Sequence, residues 1–346
     1  MLSYHLSHSG AGLSGLAVRE HDMPVPGPGQ ALVAVRATSL SFRELMVLDG
    51  TYVLPVKPDV VPVSDGAGEV VALGPGADTV RVGDRVAATL FPSWQDGPFA
   101  VEHLAQRGGS LDGLLTEFAL LDTGSLVGVP AHLSYEEAAT LPCVAVTAWN
   151  ALTGDGARLG PGDTVVVQGS GGVSLFALQF AKALGARVIA TTSGPAKAAR
   201  LRELGADEVV DYSATPDWAT EVRTLTGGRG AHRIVDVAGL LHESIRAIAL
   251  AGTIVCVGFV GNAAALLDTG ALFASGATVR PVAVGSRAQF TAMNAFIGTH
   301  GLRPVIDRVF SFDSAADAYR HYAAGGCFGK VVVSHSYASS RARIQG

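Results

Sequence analysis

The chain has 346 residues, of which 48% are hydrophobic and 16% are charged, and its formal net charge is −5. This length exceeds the usual size of one hydrophobic core, so we expect two domains. The acidic balance argues against a nucleic-acid partner or an anionic membrane partner. Because no apolar run is long enough to span a bilayer and residues 1–5 lack a secretion signal, we expect a cytoplasmic protein.

The cysteines are isolated from one another, and none belongs to a CxxC pair. They are Cys143, Cys256 and Cys327. This pattern argues against a disulfide framework and against a structural zinc lobe, and it is typical of a reducing compartment.

Short β segments separated by Gly and Pro dominate residues 1–142. Runs such as 30–37, 68–74 and 84–88 lie between turn sequences and predict a small, irregular β barrel, with one helix at 42–48. Ser134 followed by Glu137 then forms a capping box that predicts the start of a helical region.

Strands and helices alternate from Thr164 onward, which predicts a doubly wound parallel sheet. The predicted strands are 165–167, 188–190, 208–210, 233–237 and 253–257. A helix follows each of the first four strands, and these helices end at 184, 204, 226 and 250. The fourth helix covers 243–250. A strand at 278–284, a helix at 287–299, a strand at 305–310, a helix at 314–323 and a strand at 329–334 complete the chain. The last helix and strand do not extend the alternation, so they are compatible with membership of the first domain.

A glycine turn follows the first of these strands and opens a helix, and this context turns a weak glycine pattern into a candidate dinucleotide site. Its residues are Gly169, Ser170, Gly171, Gly172 and Val173. Gly169 would allow the tight turn, Gly171 would let a pyrophosphate approach the backbone, and Ser174 stands where a third small residue packs helix on strand. An ordinary glycine turn of an α/β protein is the alternative.

Five stretches in order resemble the medium-chain dehydrogenase/reductase superfamily, specifically its zinc-free members similar to quinone oxidoreductases. They are PGPGQ at 26–30, VGDRV at 82–86, AATLP at 138–142, GSGGV at 169–173 and GKVV at 329–332. The resemblance implies a GroES-like catalytic domain of residues 1–142 and 288–346, a Rossmann domain of residues 143–287, and an active site in the cleft between them. It also implies a homodimer, paired through the strand at 278–284.

The resemblance also locates the catalytic zinc ligands of other members, and this chain has Ser41, Ser64 and Cys143 at those positions. One thiol without a second Cys or His cannot form the usual three-ligand site. The sequence therefore predicts no metal.

The residue that ends the second Rossmann strand discriminates NAD from NADP, because a carboxylate there repels a 2'-phosphate. Thr192 fills that position, Ser193 follows it, and the resemblance places Lys197 and Tyr212 beside the 2'-phosphate. We therefore predict NADP(H). The alternative is that Lys197 and Arg200 form a solvated helix face. Further cofactor contacts implied by the resemblance and by the strand ends are Thr147, Val237, Ala238, Gly258 and Phe259.

The resemblance places Ser41, Arg43, Tyr52 and Asp65 in the catalytic pocket. Arg43 would donate to a substrate oxygen, with a surface ion pair to Glu44 as the alternative. Asp65 could instead brace the Gly66–Gly68 turn. No pair or triad of residues in the sequence stands out as a general acid and base.

These observations predict an NADPH-dependent, zinc-free oxidoreductase that reduces a small conjugated carbonyl such as a quinone or an enone. An alcohol dehydrogenase or carbonyl reductase of the same fold is the first alternative. A non-redox NADPH-binding protein, such as a biosynthetic cyclase, is an alternative of another class.

Overall fold

The computed structural model describes residues 1–156, 159–258 and 267–335. The chain divides into two compact units, which we call unit 1 (Met1–Cys143 with Ser286–Gly346) and unit 2 (Val144–Gly285). Among the described residues, no helix combines the length and the apolar character that crossing a membrane requires.

The described residues form strands and helices that we number in chain order. The strands are β1 (Leu2–Leu6), β2 (Leu16–Glu20), β3 (Gln30–Leu40), β4 (Asp65–Leu73), β5 (Arg85–Ala88), β6 (Phe118–Asp122), β7 (Leu126–Gly128), β8 (Thr164–Gln168), β9 (Arg187–Thr192), β10 (Glu208–Asp211), β11 (Ala231–Asp236), β12 (Ile248–Cys256), β13 (Thr278–Pro281), β14 (Ile306–Ser311) and β15 (Lys330–Ser334). The helices are α1 (Phe42–Asp49), α2 (Tyr135–Ala138), α3 (Val146–Thr153), α4 (Gly172–Ala183), α5 (Pro195–Glu203), α6 (Trp218–Leu225), α7 (Leu241–Ala247), α8 (Thr269–Ser275), α9 (Arg287–His300) and α10 (Ala315–Ala323).

Unit 1 is built around β3, the longest strand, which pairs antiparallel with β4, β6 and β15. The sheet order is β14-β15-β3-β4-β5-β7, with β6 on β3, and β1 and β2 form a separate hairpin. Alternate residues of β3, such as Val33 and Val35, pack against Val70 and Val86 in the apolar interior of this sheet. The pairing of β15 with β3 brings the C-terminal segment of the chain beside the end of β3, where Leu40 faces Val331.

Unit 2 contains a parallel sheet with strand order β10-β9-β8-β11-β12-β13 among the described residues. Counted by their order within the unit, these strands run 3-2-1-4-5-6, which is the dinucleotide-binding arrangement of two βαβαβ halves. The order reverses between β8 and β11, and ligands of such sheets bind outside the carboxyl ends of the strands at that point. The prediction of a GroES-like unit combined with a doubly wound parallel sheet is confirmed.

Continuous apolar runs explain why the strands of unit 2 form the middle of a layered structure. Val165, Val166 and Val167 of β8 are completely buried, as strands covered by helices on both faces require. On one face, Phe180 of α4 packs edge-to-face against Trp149 of α3, with the ring centroids 5.6 Å apart. Burying a side chain of this size stabilises the fold by about 2–3 kcal/mol.

The predicted helix at 243–250 is wrong at its C-terminal end. Helix α7 ends at Ala247, and the chain becomes extended at Ile248, which already pairs with Ala231 as the first residue of β12. The register then shifts before Arg233 pairs with Thr253, and Ala251 adopts a positive φ of 59° within this irregular stretch. The apolar spacing of 245–250 suits a helix equally well, so only strand pairing decides between the two.

Candidate active site and cofactor site

The glycine turn after β8 leaves open space above its backbone. Gly169 has a φ of 77°, a left-handed conformation that costs other residues about 1–2 kcal/mol. A Cβ atom added at Gly169 or at Gly171 would meet no other atom within 4 Å. Helix α4 begins at Gly172, and no side chain caps its N-terminus. The N–H groups of its first turn, which includes Val173, are therefore available to a phosphate group, and the turn fits a nicotinamide dinucleotide.

Polar contacts hold this turn and the ends of the neighbouring strands in place. The buried Ser174 hydroxyl donates to the carbonyl of Gln168, which ties α4 to the end of β8. The Gln168 side chain accepts from the Ala238 N–H at 3.3 Å and donates to Ser244 Oγ at 3.1 Å. Ser244 in turn donates to Asp236 Oδ2 at 2.8 Å. This network joins the ends of β8 and β11, where the strand order reverses, and sequence reasoning did not identify it.

The other residues predicted at these strand ends have the following places. Val237 follows β11 and is partly exposed, and Gly258 follows β12, where a Cβ atom would meet the Val237 carbonyl oxygen at 2.8 Å. Buried Ser170 lies in the glycine turn and Thr147 is buried in α3, whereas Phe259 lies outside the described residues.

Hydroxyl groups lie at the end of β9, and an unexpected carboxylate from the neighbouring strand lies beside them. Thr192 is buried, Ser193 is exposed, and Lys197 is partly exposed in the first turn of α5. The exposed Tyr212 donates its N–H to the Thr192 carbonyl at 2.9 Å. Asp211 of β10 stands in register with Thr192, although no residue of β9 itself is acidic at this end.

Asp211 is held as an ionised carboxylate by hydrogen bonds to one of its oxygens. Its Oδ1 accepts from Ser213 Oγ, from Ser213 N–H at 3.0 Å and from Gly194 N–H at 3.0 Å. These bonds, that of the Ser213 hydroxyl above all, hold the pKa of Asp211 below its ordinary value. The negative charge beside the end of β9 thus comes from the neighbouring strand, where sequence reasoning did not look for it.

Unit 1 contains a group of charged and polar side chains, most of them buried, which we call the buried polar cluster. Its members are Ser41, Arg43, Glu44, Ser64, Asp65, Cys143 and Lys330, and Tyr52 lies at its edge. The structure therefore brings together the four residues that the sequence analysis placed in the catalytic pocket. It adds Glu44 and Lys330, whose participation sequence reasoning missed.

Lys330 is the central cation of this cluster. It is the first residue of β15, and its Nζ donates to the Leu40 carbonyl and to Ser41 Oγ at 2.8 Å, with Asp65 Oδ2 3.9 Å away. Ser41 Oγ donates to Asp65 Oδ2 at 3.2 Å. Burial lowers the pKa of Lys330 and raises the pKa of Asp65 to about 6, and the attraction between the two charges opposes both shifts. Asp65 lies within β4, so the alternative that it braces a turn at Gly66–Gly68 is wrong.

Arg43 and Glu44 form an ion pair inside the protein. Arg43 is 8% exposed and Glu44 1%, and Arg43 Nη1 donates to Glu44 Oε1 at 2.7 Å, so the alternative of a surface pair is wrong. Ser64 donates its N–H to the same oxygen at 3.2 Å, and its hydroxyl lies 3.0 Å from Glu44 Oε1 and 2.9 Å from Asp65 Oδ1. The Arg43 guanidinium also lies over the Tyr52 ring, 4.7 Å from its centroid.

The residues at the positions of the expected zinc ligands do not fit a catalytic zinc ion. Ser41 and Ser64 offer neutral hydroxyl groups that are already hydrogen-bonded to carboxylates. Although Cys143 is partly exposed, burial of its thiol, reinforced by the Asp65 charge, raises its pKa to about 12. The Lys330 ammonium contacts Ser41 directly and would repel a second cation. Zinc requires thiolate, imidazole or carboxylate ligands with room for the ion, and the three expected ligand positions, Ser41, Ser64 and Cys143, offer at most one thiolate.

Comparison with known proteins agrees with this architecture. Residues 27–131 match the family model of the alcohol dehydrogenase GroES-like domain, and residues 172–299 match that of the zinc-binding dehydrogenases. A zinc-type alcohol dehydrogenase-like protein of Schizosaccharomyces pombe is 38% identical over 341 residues, which cover 96% of this chain and 99% of that protein. A second protein of that description, from Leptosphaeria maculans, is 32% identical over 332 residues, covering 90% and 92% of the two chains.

Solved structures lead to the same group. A crystal structure of an NAD-dependent alcohol dehydrogenase has a TM-score of 0.87 at 32% identity, covering 96% of this chain and 99% of that one. An alcohol dehydrogenase superfamily protein from Novosphingobium aromaticivorans has a TM-score of 0.81 at 28% identity, with the same coverage. The chain belongs to the medium-chain dehydrogenase/reductase superfamily, whose alcohol dehydrogenase-like members are oxidoreductases that bind a nicotinamide cofactor.

Proposed function

We propose that this protein is an NADP(H)-dependent, zinc-independent oxidoreductase that reduces a small conjugated carbonyl compound, such as a quinone or an enone. The observation that carries the proposal is the Lys330 ammonium, which donates to Ser41 Oγ at 2.8 Å where relatives with catalytic zinc have a ligand. A fixed positive charge behind a hydroxyl group can stabilise the negative charge that develops on a carbonyl oxygen.

The cofactor would be held by unit 2. The turn of Gly169, Ser170, Gly171, Gly172 and Val173 would bind the pyrophosphate with its N–H groups. A bound nicotinamide cofactor supplies the hydride.

The preference for NADP(H) rests on the end of β9. Ser193, Lys197 and Tyr212 are exposed or partly exposed there, and they offer hydroxyl groups and a cation to a 2'-phosphate. Asp211 opposes this preference, and the NAD-dependent relative also argues for the other cofactor. The three donors on Asp211 Oδ1 offset part of its charge, which leaves Lys197 as the decisive group.

The groups that act on the substrate would come from the buried polar cluster. Ser41 Oγ accepts from Lys330 and donates to Asp65, so its proton is shared within a chain of hydrogen bonds. A substrate oxygen that replaces Asp65 as the acceptor would receive the Ser41 hydroxyl proton, and Lys330 would restore that proton. Tyr52 is partly exposed and would orient the substrate through its ring.

A second function is an alcohol dehydrogenase or carbonyl reductase activity, which the names of the relatives favour. The same three groups would then serve a simple carbonyl, with Ser41 donating to the product alkoxide and accepting a proton in the reverse direction. The two functions differ in whether the hydride is added to a carbon conjugated with the carbonyl or to the carbonyl carbon itself.

The test is turnover of NADPH and NADH with panels of quinones, enones, aldehydes and alcohols, using cofactor that carries deuterium at the transferred position. We expect deuterium on the β-carbon of enones, consumption of NADPH in preference to NADH, and no loss of rate after chelation of metals. Ser41→Ala and Lys330→Met should each lower kcat. Deuterium only on carbonyl carbons supports the second function, and tight NADPH binding without turnover on any panel supports a non-redox binding protein.

We also infer that the protein is a cytoplasmic homodimer. In the order of the described strands, β13 forms one end of the unit 2 sheet, and an edge strand can pair with its symmetry copy. Sedimentation equilibrium should give twice the mass of the 35.4 kDa chain, and Val279→Pro, which removes a ladder N–H, should shift the equilibrium toward the monomer.

A further inference from the structure

Three side chains with metal-binding atoms converge in the C-terminal part of unit 1. They are Asp307, His321 and Cys327, and one carboxylate oxygen, one imidazole nitrogen and the thiol sulfur all lie within 4.8 Å of one another. Each residue is partly exposed, so an ion from solution can reach the group. None of these residues belongs to the buried polar cluster, and the sequence analysis did not identify them because their spacing of 14 and 6 residues follows no known motif.

The fold positions each ligand by a different local device. Asp307 lies at an irregularity of β14, where the pairing with β15 shifts between Ile306 and Arg308, and such bulges re-aim a side chain. His321 lies in the last turn of α10. Cys327 follows Gly325 and Gly326, whose φ values of 73° and 83° turn the chain back toward β15.

Hydrogen bonds already orient two of the donors. Asp307 Oδ1 accepts the Phe328 N–H at 2.9 Å, which leaves Oδ2 directed at His321 Nε2, 2.8 Å away. The Cys327 thiol lies 3.9 Å from the His321 carbonyl oxygen, so it sits beside the same turn of the helix. The carboxylate is thus fixed through one oxygen while the imidazole faces the other, so two potential ligand atoms lie close enough to converge on one ion.

We propose that Asp307, His321 and Cys327 form a binding site for a zinc ion, with water as the fourth ligand. A thiolate, an imidazole and a carboxylate together suit zinc or cobalt better than magnesium or calcium, which prefer oxygen ligands alone. Binding would replace the hydrogen bond between Nε2 and Oδ2 with two bonds to the metal. The thiol proton would leave to solvent and the Nε2 proton would move to Nδ1 or to solvent, so that a neutral imidazole remains and thiolate and carboxylate together balance the two charges of the ion.

The geometry requires only small movements. Zinc ligand bonds at the tetrahedral angle separate an imidazole nitrogen from an oxygen by about 3.4 Å and from a thiolate sulfur by about 3.6 Å. The Nε2 and Oδ2 atoms are 2.8 Å apart, and the sulfur belongs to a set of one imidazole nitrogen, one carboxylate oxygen and one thiol that all lie within 4.8 Å of one another. Cys327 therefore has to approach by no more than about 1 Å, which the preceding glycine pair permits.

The consequence of binding would be structural. The ion would connect β14, α10 and the loop that enters β15, the strand that begins with Lys330. Since the three ligands come from separate elements and an unfolded chain does not hold them together, binding would raise the Tm of the protein.

The test is titration of the full-length, metal-free protein with Zn²⁺ by calorimetry and with Co²⁺ by thiolate-to-cobalt charge-transfer absorption. We expect one ion per chain, a Tm increase of about 5 °C at saturating Zn²⁺, and a thiolate band. Cys327→Ser and His321→Gln should each weaken zinc binding at least about tenfold. Substitution of residues that only hydrogen-bond to metal ligands already lowers metal affinity about 10- to 100-fold. Cys143→Ala and Cys256→Ala are the matched thiol controls and should bind as the parent does.

One further readout checks the fold of the variant, and the Cys143→Ala control keeps the site distinct from the buried polar cluster. Circular dichroism of metal-free Cys327→Ser checks that the variant is folded, and the near-isosteric substitution makes this the expected result. Absence of stoichiometric binding in the parent, or equal binding by Cys327→Ser, would overturn the proposal. Loss of binding in Cys143→Ala instead would place the ion in the buried polar cluster, which would overturn both this inference and the zinc-independence of the proposed reaction.

Discussion

Replacing Lys330 with methionine tests whether its ammonium is the counter-ion that keeps Asp65 ionised inside the protein. Methionine retains a long unbranched stem and removes only the charge and its donors. The change leaves the Leu40 carbonyl and Ser41 Oγ without the Lys330 donor, and it takes away the cation 3.9 Å from Asp65 Oδ2. Removing one partner of a buried ion pair costs about 3–5 kcal/mol when the remaining charge cannot be neutralised.

Asp65 can be neutralised, and this sets the magnitude. Its pKa is raised from 3.8 to about 6, mainly by burial, and it rises further without Lys330, so the variant protein holds Asp65 protonated at pH 7. In the parent the carboxylate is ionised above pH 6, with a gain of about 1.4 kcal/mol for each pH unit above that value. The variant loses this gain. Its added destabilisation from this source is therefore close to zero at pH 5, about 1 kcal/mol at pH 7 and about 3 kcal/mol at pH 8.

The sign follows from proton counting. Above pH 6 the folded parent and the unfolded chain both hold no proton at Asp65, whereas the folded variant holds one, so the stability of the variant falls as the pH rises. The unpaired groups at Leu40 and Ser41 add a cost of about 1–3 kcal/mol that does not depend on pH.

The assay is urea unfolding at pH 5, 7 and 8, with pulse hydrogen exchange and mass spectrometry. Peptides of β3 and β15 report unit 1, and peptides of β8 in unit 2 are the internal control. The double variant Lys330→Met/Asp65→Asn should lose the pH dependence. A destabilisation by Lys330→Met that is equal at pH 5 and pH 8, or a double variant that keeps the dependence, would refute the reasoning.

Three further outcomes are expected. Gly171→Val should raise the Kd for NADPH by more than about tenfold with little change in Tm, because the φ of −80° at this residue accepts a side chain and the added atoms fill the open space above the turn; equal affinity in a fluorescence titration would contradict the cofactor site. Asp211→Asn should tighten NADPH about three- to fivefold relative to NADH, since a negative charge near the 2'-phosphate is removed, and an unchanged ratio of the two Kd values would show that Asp211 does not reach it. In the parent, kcat should rise as the pH increases through about 6, because the ionised Asp65 carboxylate stabilises the protonated form of Lys330. A profile of kcat from pH 5 to 8 should lack this step in Asp65→Asn.

The fold of unit 2 was predictable because parallel strands buried on both faces are continuous apolar runs. The three valines of β8 and the glycine turn after it give such a signal within a few residues. The sequences of strands β1 and β2 contain no such apolar run. Strand β2 in particular is exposed along most of its length and has little apolar alternation. The start of β12 was missed for the related reason that its apolar residues also fit a helix, and the pairing partner Ala231 is distant in the chain.

The candidate site was predictable only where one segment carries the whole signal. Ser41 and Ser64 could be recognised because the family resemblance assigns each of them a position within one short segment. The role of Asp211 could not, because it depends on the register of β10 beside β9. Lys330 had a usable signal, since a lysine that opens the apolar strand β15 must find a partner when it is buried, but the sequence does not show that the partner comes from β3 and β4.

The charges of the buried polar cluster explain why serines at the expected zinc-ligand positions and a buried Lys330 are consistent with each other. Arg43 and Lys330 carry two positive charges, and Glu44 and Asp65 carry two negative charges, so the group is neutral without any ion. A zinc ion would add two charges that buried neutral hydroxyl groups cannot balance. Asp307, His321 and Cys327 present a different case, because a carboxylate and a thiol there can supply two negative charges to an ion beside a neutral imidazole. By this charge balance, we expect a metal ion to bind this chain at Asp307, His321 and Cys327 rather than among Ser41, Ser64 and Cys143.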